Sequence, residues 1–344
     1  MDKINIYVPQ NIGTILDNDA VQFEVLKKDG YTVNKNKFLS MLIQGYYDDY
    51  IIEARTKHNA ICSILSENGI NGEQQEKIAE EILKKVILPE VPSRKGKNPV
   101  KLSLKPTKDT IPLIQYIMDD IGADDYISQF FCRMLMSYCE KPFSTREQIL
   151  FKSKYDFILS ACESQASIRF TTIWNPVDVH EVIPYKIVVG TEEMYNYLLC
   201  GERNKKSGKM EAMSYRLNRI DALRWGTTRE TLTEEVVTYL ERMIQYGPQF
   251  AINDDEETCV KLTEEGRKFF NRIYYGRPKV EQMEHVDGAW LYYFRCSKEQ
   301  LYQYFKRFDG RRVLGIRPKK LAERINNFHK KSISQSEEVE HEKW

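Results

Sequence analysis

Side chains that could recognise an anion are concentrated between positions 167 and 219. They are arginines, tyrosines and one lysine, namely Arg169, Tyr185, Lys186, Tyr197, Tyr215, Arg216 and Arg219. Arginine presents a planar fork of donors to phosphate oxygens, and tyrosine supplies a ring for base stacking and a hydroxyl donor. This mixture predicts a site for a nucleic-acid end or a nucleotide-like anion. Alternatively, Tyr185 and Tyr197 belong to the core and the arginines form ordinary surface ion pairs.

The alternation of side chains along a strand separates some of these groups. In the segment 214–219 the two faces carry Tyr215, Leu217 and Arg219 on one side and Ser214, Arg216 and Asn218 on the other. Arg216 and Arg219 would face one site only if the strand bulges or ends between them. We therefore favour Arg216 as the anion-binding residue, with Arg169 beside it.

Catalytic motifs do not accompany these residues. The loop from Gly201 to Lys209 has the wrong glycine spacing for a phosphate-binding loop, and Met210 follows where a Ser or Thr would bind the metal. The sequence contains no nucleotide-binding glycine motif, no nucleophile elbow and no His-Glu-x-x-His. We expect no enzyme activity, no catalytic residue and no cofactor. We also expect no metal site, on the interpretation that the histidines do not cluster with the cysteines.

Composition indicates a globular, multidomain protein. The chain has 344 residues and a mass of 40.6 kDa, with 42% hydrophobic and 12% aromatic residues, which excludes disorder as its main state. Lys+Arg 51 against Asp+Glu 50 leaves the total charge near zero, so only local clusters of charge can indicate a partner. Seven cysteines without a Cys-x-x-Cys pair, no signal peptide and no long apolar run predict a cytoplasmic location and no membrane contact.

The N-terminal part repeats the order strand, helix, helix. Residues 4–8 and 100–105 alternate, and a helix through about Lys28, ended by Asp29-Gly30, precedes a second helix that Asn34 can cap. The apolar positions of that second helix recur 92 residues later: Phe38, Leu39, Leu42, Ile43 and Tyr46 against Phe130, Phe131, Met134, Leu135 and Tyr138. A helical stretch over about 73–88 and a Pro-rich linker, 89–99, separate the two copies.

Two short strands of this kind are stable only when paired over a packed face, so we predict that they pair antiparallel. The result resembles a ribbon-helix-helix fold, most clearly in the segment 128–138. That resemblance implies a ribbon whose outward side chains contact nucleic acid, here Lys3, Asn5 and Tyr7 from one strand and Lys101, Ser103 and Lys105 from the other. Two helical hairpins that merely pack, and a purely structural or dimerising ribbon, are the alternatives.

The middle of the chain resembles the WYL domain family over about residues 146–224. A helix, 146–164, precedes four or five predicted strands, and three ordered segments carry the resemblance: Val182-Ile183-Pro184-Tyr185, Asn196-Tyr197-Leu198, and Ser214 to Ile220. Asn196 stands where the family has its naming Trp, and Asn218 where it commonly has Asp. The resemblance implies an SH3-like β-barrel that binds nucleic acid or a nucleotide-like anion.

The last third of the chain predicts the order β-α-β-β-α-β after a helix opened by 231–234 and closed by Gly247-Pro248. This order is ferredoxin-like. The segment 315–321 looks like the closing strand and helix of the extension that many WYL proteins carry. The predicted fold is therefore α+β with four parts: 1–142, with copies at 1–58 and 99–142; the WYL domain, 143–226; a dimerising extension, 227–332; and a disordered acidic tail, 333–344.

Together, these parts resemble the WYL-domain accessory proteins of type VI-D CRISPR systems, which serve antiviral defence. The resemblance implies a non-catalytic, homodimeric protein that binds single-stranded RNA and stimulates an RNA-guided RNA-cleaving effector. One alternative is a transcriptional regulator whose ribbon binds duplex DNA and whose WYL domain senses a small ligand. Another is an interaction scaffold without nucleic-acid contact.

Overall fold

The chain begins with a five-residue strand whose partner lies almost a hundred residues further on. In the computed structural model, which describes residues 2–92, 99–121 and 124–341, β1 (Ile4–Val8) pairs antiparallel with β2 (Val100–Leu104). Ile6 faces Leu102, and both are buried, whereas Lys101 between the inward positions is exposed. The predicted antiparallel ribbon is confirmed. It belongs to the first of two compact units, Met1–Asp156 and Phe157–Trp344.

The helices of the first unit follow the predicted order with shifted ends. They are α1 (Gln10–Gln22), α2 (Lys35–Glu67), α3 (Glu73–Ile82), which continues as a π-helical turn (Leu83–Ile87), α4 (Ile111–Ile121), α5 (Asp124–Cys139) and α6 (Phe143–Leu150). The helix α7 (Lys152–Ser164) continues the chain past Asp156. The single helix expected over 146–164 is thus two helices. Residues 93–98 of the predicted linker lie outside the described part of the chain.

The predicted end of the first helix near Lys28 was wrong. The helix α1 stops at Gln22, and the Asp29 carboxylate instead accepts the backbone N–H groups of Tyr31 and Thr32, both at 2.9 Å. Leu26 then forms an isolated antiparallel β-bridge with Val33. Asp-Gly is a signal both for a helix end and for a turn, and here it makes a turn. The Asn34 cap is confirmed, since its side chain accepts the Lys37 N–H at 3.0 Å.

Both copies of the repeated apolar series face the core of the first unit. Phe38, Leu42 and Tyr46 of α2 are buried, as are their counterparts Met134 and Tyr138 of α5. The rings of Tyr46 and Tyr138 meet edge to face, with centroids 6.3 Å apart. The 92-residue offset therefore relates two helices that pack into one core.

The second unit opens with a five-stranded antiparallel sheet. Its strands are β3 (Ile168–Thr172), β4 (Asn175–Val189), β5 (Asn196–Arg203), β6 (Met210–Arg216) and β7 (Ile220–Trp225), in the order β6-β5-β4-β3-β7. A 3₁₀ turn, Leu217–Arg219, joins β6 to β7. A closed barrel was expected from the sequence. The pairings found within the described residues form an open series from β6 to β7, and closure is not detected.

A capped helix covers one face of this sheet. The hydroxyl of Thr233 accepts the Val236 N–H at the start of α8 (Glu234–Tyr246), and Gly247, at φ +136°, ends it. Val236, Leu240 and Met243 pack with Leu199 and Ala212 of the sheet. The two predicted helix boundaries are confirmed, because both depend on local capping chemistry.

The rest of the unit has the predicted order β-α-β-β-α-β. Its elements are β8 (Thr258–Leu262), α9 (Glu264–Arg272), β9 (Gln282–Val286), β10 (Ala289–Phe294), α10 (Lys298–Phe305) and β11 (Val313–Arg317), and the strand order is β11-β8-β10-β9, antiparallel throughout. Phe270, Phe294 and Phe305 form the centre of its core.

The final helix, α11 (Lys319–His341), includes most of the segment expected to be a disordered tail. The backbone is helical as far as His341, and Glu342 lies outside the described residues. Within the described part of the chain, no helix combines the length and the apolar character needed to cross a membrane.

Candidate nucleic-acid interface

Arg216 lies at the end of the edge strand β6, directly opposite Tyr197 of β5. Opposed residues of an antiparallel pair lie on the same face of the sheet. The guanidinium carbon of Arg216 lies 3.4 Å from the centroid of the Tyr195 ring. This distance places the planar cation against the ring, which is the geometry of a close cation–π contact.

The guanidinium of Arg216 has hydrogen-bonding capacity that the described residues leave unused. Its Nε and Nη2 atoms are buried and have no hydrogen-bond partner among the described residues. An arginine charge with unpaired buried donors is costly, and an oxyanion supplies the acceptors that match this fork. Arg169 of the same sheet also has a buried Nε that lacks a hydrogen bond among the described residues, but that atom lies 3.5 Å from Glu181. Arg216 has two such donors, and an anion would complete its hydrogen bonding.

Tyr197 shares the face of Arg216 but serves as packing. Its side chain is buried, its hydroxyl donates to Glu193, and a Cβ added at Gly190 would come within 3.1 Å of its ring. The close approach explains the glycine at position 190. Tyr197 is thus part of the packed core next to the Arg216–Tyr195 pair.

A bulge in β4 separates Tyr185 from Lys186. Pro184 pairs with Cys200 and Lys186 with Leu199, so Tyr185 is the extra residue. Its hydroxyl donates to Glu241 of α8, and this hydrogen bond to a carboxylate is the main reason that its pKa rises to about 12. Lys186 is exposed and, by register, lies on the face that carries Arg216.

Tyr215 lies on the opposite face of the sheet from Arg216, as strand alternation predicts. Its hydroxyl donates to Glu202 and lies 3.0 Å from Nδ1 of His180, which is 2.9 Å from the other Glu202 oxygen. Burial is the largest of the effects that raise the pKa of Tyr215 far above its ordinary value. This partly buried trio links β4, β5 and β6 on that face of the sheet.

The structure does not bring Arg169 beside Arg216. Nε of Arg169 lies 3.5 Å from Oε2 of Glu181, its neighbour in β4. The other oxygen of Glu181 accepts the backbone N–H groups of Thr227 (2.7 Å) and Thr228 (2.9 Å), and the first of these bonds contributes most to lowering the pKa of that carboxyl. Arg169 is thus engaged at the other end of the sheet.

Arg219 lies in the 3₁₀ turn after β6, so the strand ends between it and Arg216. Its carbonyl accepts the N–H of Ile173 at 3.0 Å, which ties the turn to the end of β3. The alternation expected over 214–219 therefore holds only as far as Arg216, and Arg219 is positioned by the turn.

The ribbon of the first unit presents the predicted outward set on one face. Tyr7 lies opposite Lys101, and Asn5 lies opposite Ser103, whose hydroxyl donates to the Asn5 side chain at 3.1 Å. Lys3, Lys101 and Lys105 are exposed. Three cations along a short ribbon form a surface that suits phosphate, although part of the polar face is occupied by the Asn5–Ser103 bond.

A polar pocket of about 520 Å³ lies in the second unit between the β4–β5 turn and the α9–β9 loop. Its lining combines two cations with carboxamides and aromatic rings, and includes Arg277, Lys279, Gln245, Gln249, Gln300 and Tyr246. The turn between β4 and β5 contributes Thr191 and Glu192 to the pocket lining, and the Glu192 carboxylate accepts the Gly276 N–H at 2.7 Å. Gln300 is buried, and Oε1 of Gln249 has no hydrogen-bond partner within the described chain.

Reasoning from sequence missed Tyr195 and the two pocket cations. Tyr195 directly precedes β5 (Asn196–Arg203), so strand alternation gave no signal for its position. Arg277 and Lys279 carried no signal either. They belong to a loop whose position depends on the packing of the last sheet.

The fold and the site define an α+β protein with an N-terminal strand ribbon and helices, two further antiparallel sheets, and an arginine on the five-stranded sheet with two donors that lack partners among the described residues. No protein-family model and no curated protein matches the sequence. The chain is similar in structure to a solved protein described as a CRISPR Cas-related protein, with a TM-score of 0.64, 19% identity, and coverage of 99% of this chain and 95% of that one. This likeness shows a shared fold.

A second solved structure, the proteasome accessory factor PafBC of Arthrobacter aurescens, aligns with a TM-score of 0.26 and 14% identity over 93% of this chain and 54% of its own. A similarity of that size carries no argument about this protein.

Proposed function

We propose that this protein is a non-catalytic accessory protein of a type VI-D CRISPR system, which binds single-stranded RNA and stimulates an RNA-guided RNA-cleaving effector. The observation that supports this most directly is Arg216, whose Nε and Nη2 are buried without a partner among the described residues while its plane rests on Tyr195. A phosphate oxygen would satisfy these donors.

Single-stranded nucleic acid suits this arrangement better than a duplex. The Arg216–Tyr195 pair combines a phosphate-binding fork with an aromatic ring, and unpaired bases can stack on rings and guanidinium planes. In a duplex the bases are stacked within the helix, so only the phosphate contact would remain.

The architecture supports the WYL assignment within this proposal. The three WYL-like segments lie on β4, on β5 and on β6 with its 3₁₀ turn. The strand order β7-β3-β4-β5-β6, with a 3₁₀ turn before the last strand in sequence, is typical of SH3-like barrels. The order β11-β8-β10-β9 is that of a ferredoxin-like sheet. The likeness to a CRISPR Cas-related protein over nearly the whole chain favours a CRISPR context.

The polar pocket extends the proposed RNA path. The pocket lining includes Thr191, four residues before Tyr195 in the sequence, and the cations Arg277 and Lys279. We infer that a strand held at Arg216 continues to these cations. In that case Lys279→Ala weakens RNA binding less than Arg216→Ala does, because an exposed lysine contributes a single screened phosphate contact.

The test is fluorescence anisotropy with matched single-stranded RNA, single-stranded DNA and duplex DNA at several salt concentrations. For Arg216→Ala we expect RNA affinity to fall by roughly 10–100-fold, the range of charged hydrogen bonds, and the salt slope to flatten by about 0.7. Arg216→Lys retains the charge without the fork, so it keeps the slope and loses affinity. The exposed Arg229 gives the matched control, Arg229→Ala.

An unchanged RNA affinity in Arg216→Ala would refute this site. Preference for duplex DNA, lost with Lys101→Ala, would favour the transcriptional regulator instead. Accessory function is measured as target-RNA cleavage by a type VI-D effector with and without the protein. The proposed homodimer is measured as solution mass, and the protein alone should leave RNA intact.

A further inference from the structure

Three potential metal ligands meet where α3 packs on α2. His58 and Cys62 lie one helical turn apart on α2, and Glu76 comes from α3. Nε2 of His58 lies 3.3 Å from Oε2 of Glu76, and Sγ of Cys62 lies 3.8 Å from Nδ1 and 4.0 Å from Nε2 of His58. All three ligand atoms lie within 4.8 Å of one another.

These separations are close to those that a tetrahedral zinc ion imposes. With Zn–N and Zn–O of about 2.05 Å and Zn–S of about 2.3 Å, the tetrahedral angle sets the N···O distance at about 3.4 Å and the N···S distance at about 3.6 Å. The observed His58–Glu76 distance of 3.3 Å and His58–Cys62 distance of 4.0 Å differ from these by a few tenths of an ångström. The Cys62 and Glu76 ligand atoms lie within 4.8 Å of each other, so side-chain movement on binding must bring them closer. We propose that His58, Cys62 and Glu76 bind one zinc ion between α2 and α3.

The donor set selects the metal. A thiolate and an imidazole favour zinc and its neighbours in the first transition row over magnesium or calcium, which prefer oxygen ligands. Three protein ligands leave a fourth position, and Glu76, whose side chain is 63% exposed, opens that position to water.

A hydrogen bond beside the ligands joins the two helices that carry them. The side-chain amide of Gln75, next to Glu76, donates to the carbonyl of Cys62 at 2.6 Å and joins α3 to α2 at the site.

This site corrects the sequence interpretation that the histidines and cysteines do not cluster. The spacing His58-x-x-x-Cys62 places both on one helix face, and only the position of Glu76 required the structure. The site is in the first unit and does not depend on the proposed RNA contact at Arg216.

The experiment is titration of tag-free, full-length, reduced protein with Co²⁺, followed by displacement with Zn²⁺. We expect one equivalent to bind with a thiolate-to-cobalt charge-transfer band and the strong ligand-field bands of tetrahedral cobalt. Cys62→Ser should abolish the charge-transfer band, and Glu76→Gln should weaken binding by at least about 10-fold, the lower limit for loss of an outer-shell partner. Cys259→Ser, another half-buried thiol, is the matched control and should behave as wild type.

Circular dichroism of each variant establishes that it is folded. The proposal fails if the wild type shows no charge-transfer band at one equivalent. It also fails if folded Cys62→Ser keeps the band, or if Cys259→Ser loses it.

Discussion

Replacing Arg146 by methionine should strongly destabilise the first unit. The Arg146 guanidinium binds Asp19 through two hydrogen bonds, Nε to Oδ2 at 2.7 Å and Nη2 to Oδ1 at 3.0 Å, and it also donates to the carbonyl of Lys141 at 2.8 Å. Tyr138 donates to the same Asp19 oxygen at 3.0 Å. The side chains of Asp19 and Arg146 are only 2% and 15% exposed.

The expected loss follows from the carboxylate left behind. Removing one partner of a buried ion pair costs about 3–5 kcal/mol, because the remaining charge is unpaired in a poorly solvated site. Replacing both partners, as in Asp19→Leu with Arg146→Met, removes that charge and should recover most of the loss. The hydroxyl of Tyr138 then lacks its acceptor, which costs about 1–3 kcal/mol.

Urea denaturation followed by far-UV circular dichroism measures the effect. All four tryptophans, at 174, 225, 290 and 344, lie in the second unit, so their fluorescence reports that unit while the helical signal includes the first. For an m-value of about 2 kcal/mol/M, Arg146→Met should lower the midpoint of the first unit by about 2 M. The exposed pair Lys84–Glu80 supplies the control, since Lys84→Met should change stability by no more than about 0.5 kcal/mol.

The reasoning is refuted if folded Arg146→Met loses less than about 1 kcal/mol, the size of an exposed ion pair. It is also refuted if the double variant is less stable than Arg146→Met, because the unpaired carboxylate would then not be the cause.

Two further predictions concern the first unit, one on the turn at Asp29 and one on Gly45 of α2. The Asp29 carboxylate accepts hydrogen bonds from Thr32 and Tyr31, which lower its pKa from 3.8 to about 2. The stability that Asp29 contributes to the turn is therefore complete above about pH 4 and is lost as pH falls toward 2. A carboxyl NMR titration should show a midpoint near 2. A midpoint near 3.8 would contradict this. Gly45→Ala should destabilise by about 1–3 kcal/mol in thermal or urea unfolding, although helix propensity alone favours alanine, because the added Cβ would lie 2.0 Å from the carbonyl oxygen of Ile149. Gly310→Ala, where nothing lies within 4 Å, is the control and should be neutral or slightly stabilising.

Features with a local cause were predictable from the sequence. The Asn34 and Thr233 caps each follow from one side chain and an N–H three residues on, and strand alternation placed Tyr215 and Arg216 on opposite faces. The end of α1 was not predictable, because Asp29-Gly30 signals a turn as well as a helix end.

The positions of the residues around Arg216 depend on strand register and packing, which local sequence patterns do not predict. Whether Arg169 lies near Arg216 depends on pairings across four strands and on the bulge at Tyr185. A register shift of one residue changes the face on which every side chain of a strand lies. Alternation correctly separated the two faces of β6, but it could not show that Arg169 is paired with Glu181.

The sequence by itself determined the periodicity, the caps and the order of elements, because these arise from residues within a few positions of one another. Tertiary structure decided which polar groups have partners. Arg216 lies against Tyr195 with two donors unmatched, and His58 and Cys62 gain Glu76 only because α3 packs on α2. A hydrogen bond or a metal ligand set requires atoms to meet within a few tenths of an ångström, and for residues distant in sequence only the folded chain determines that distance.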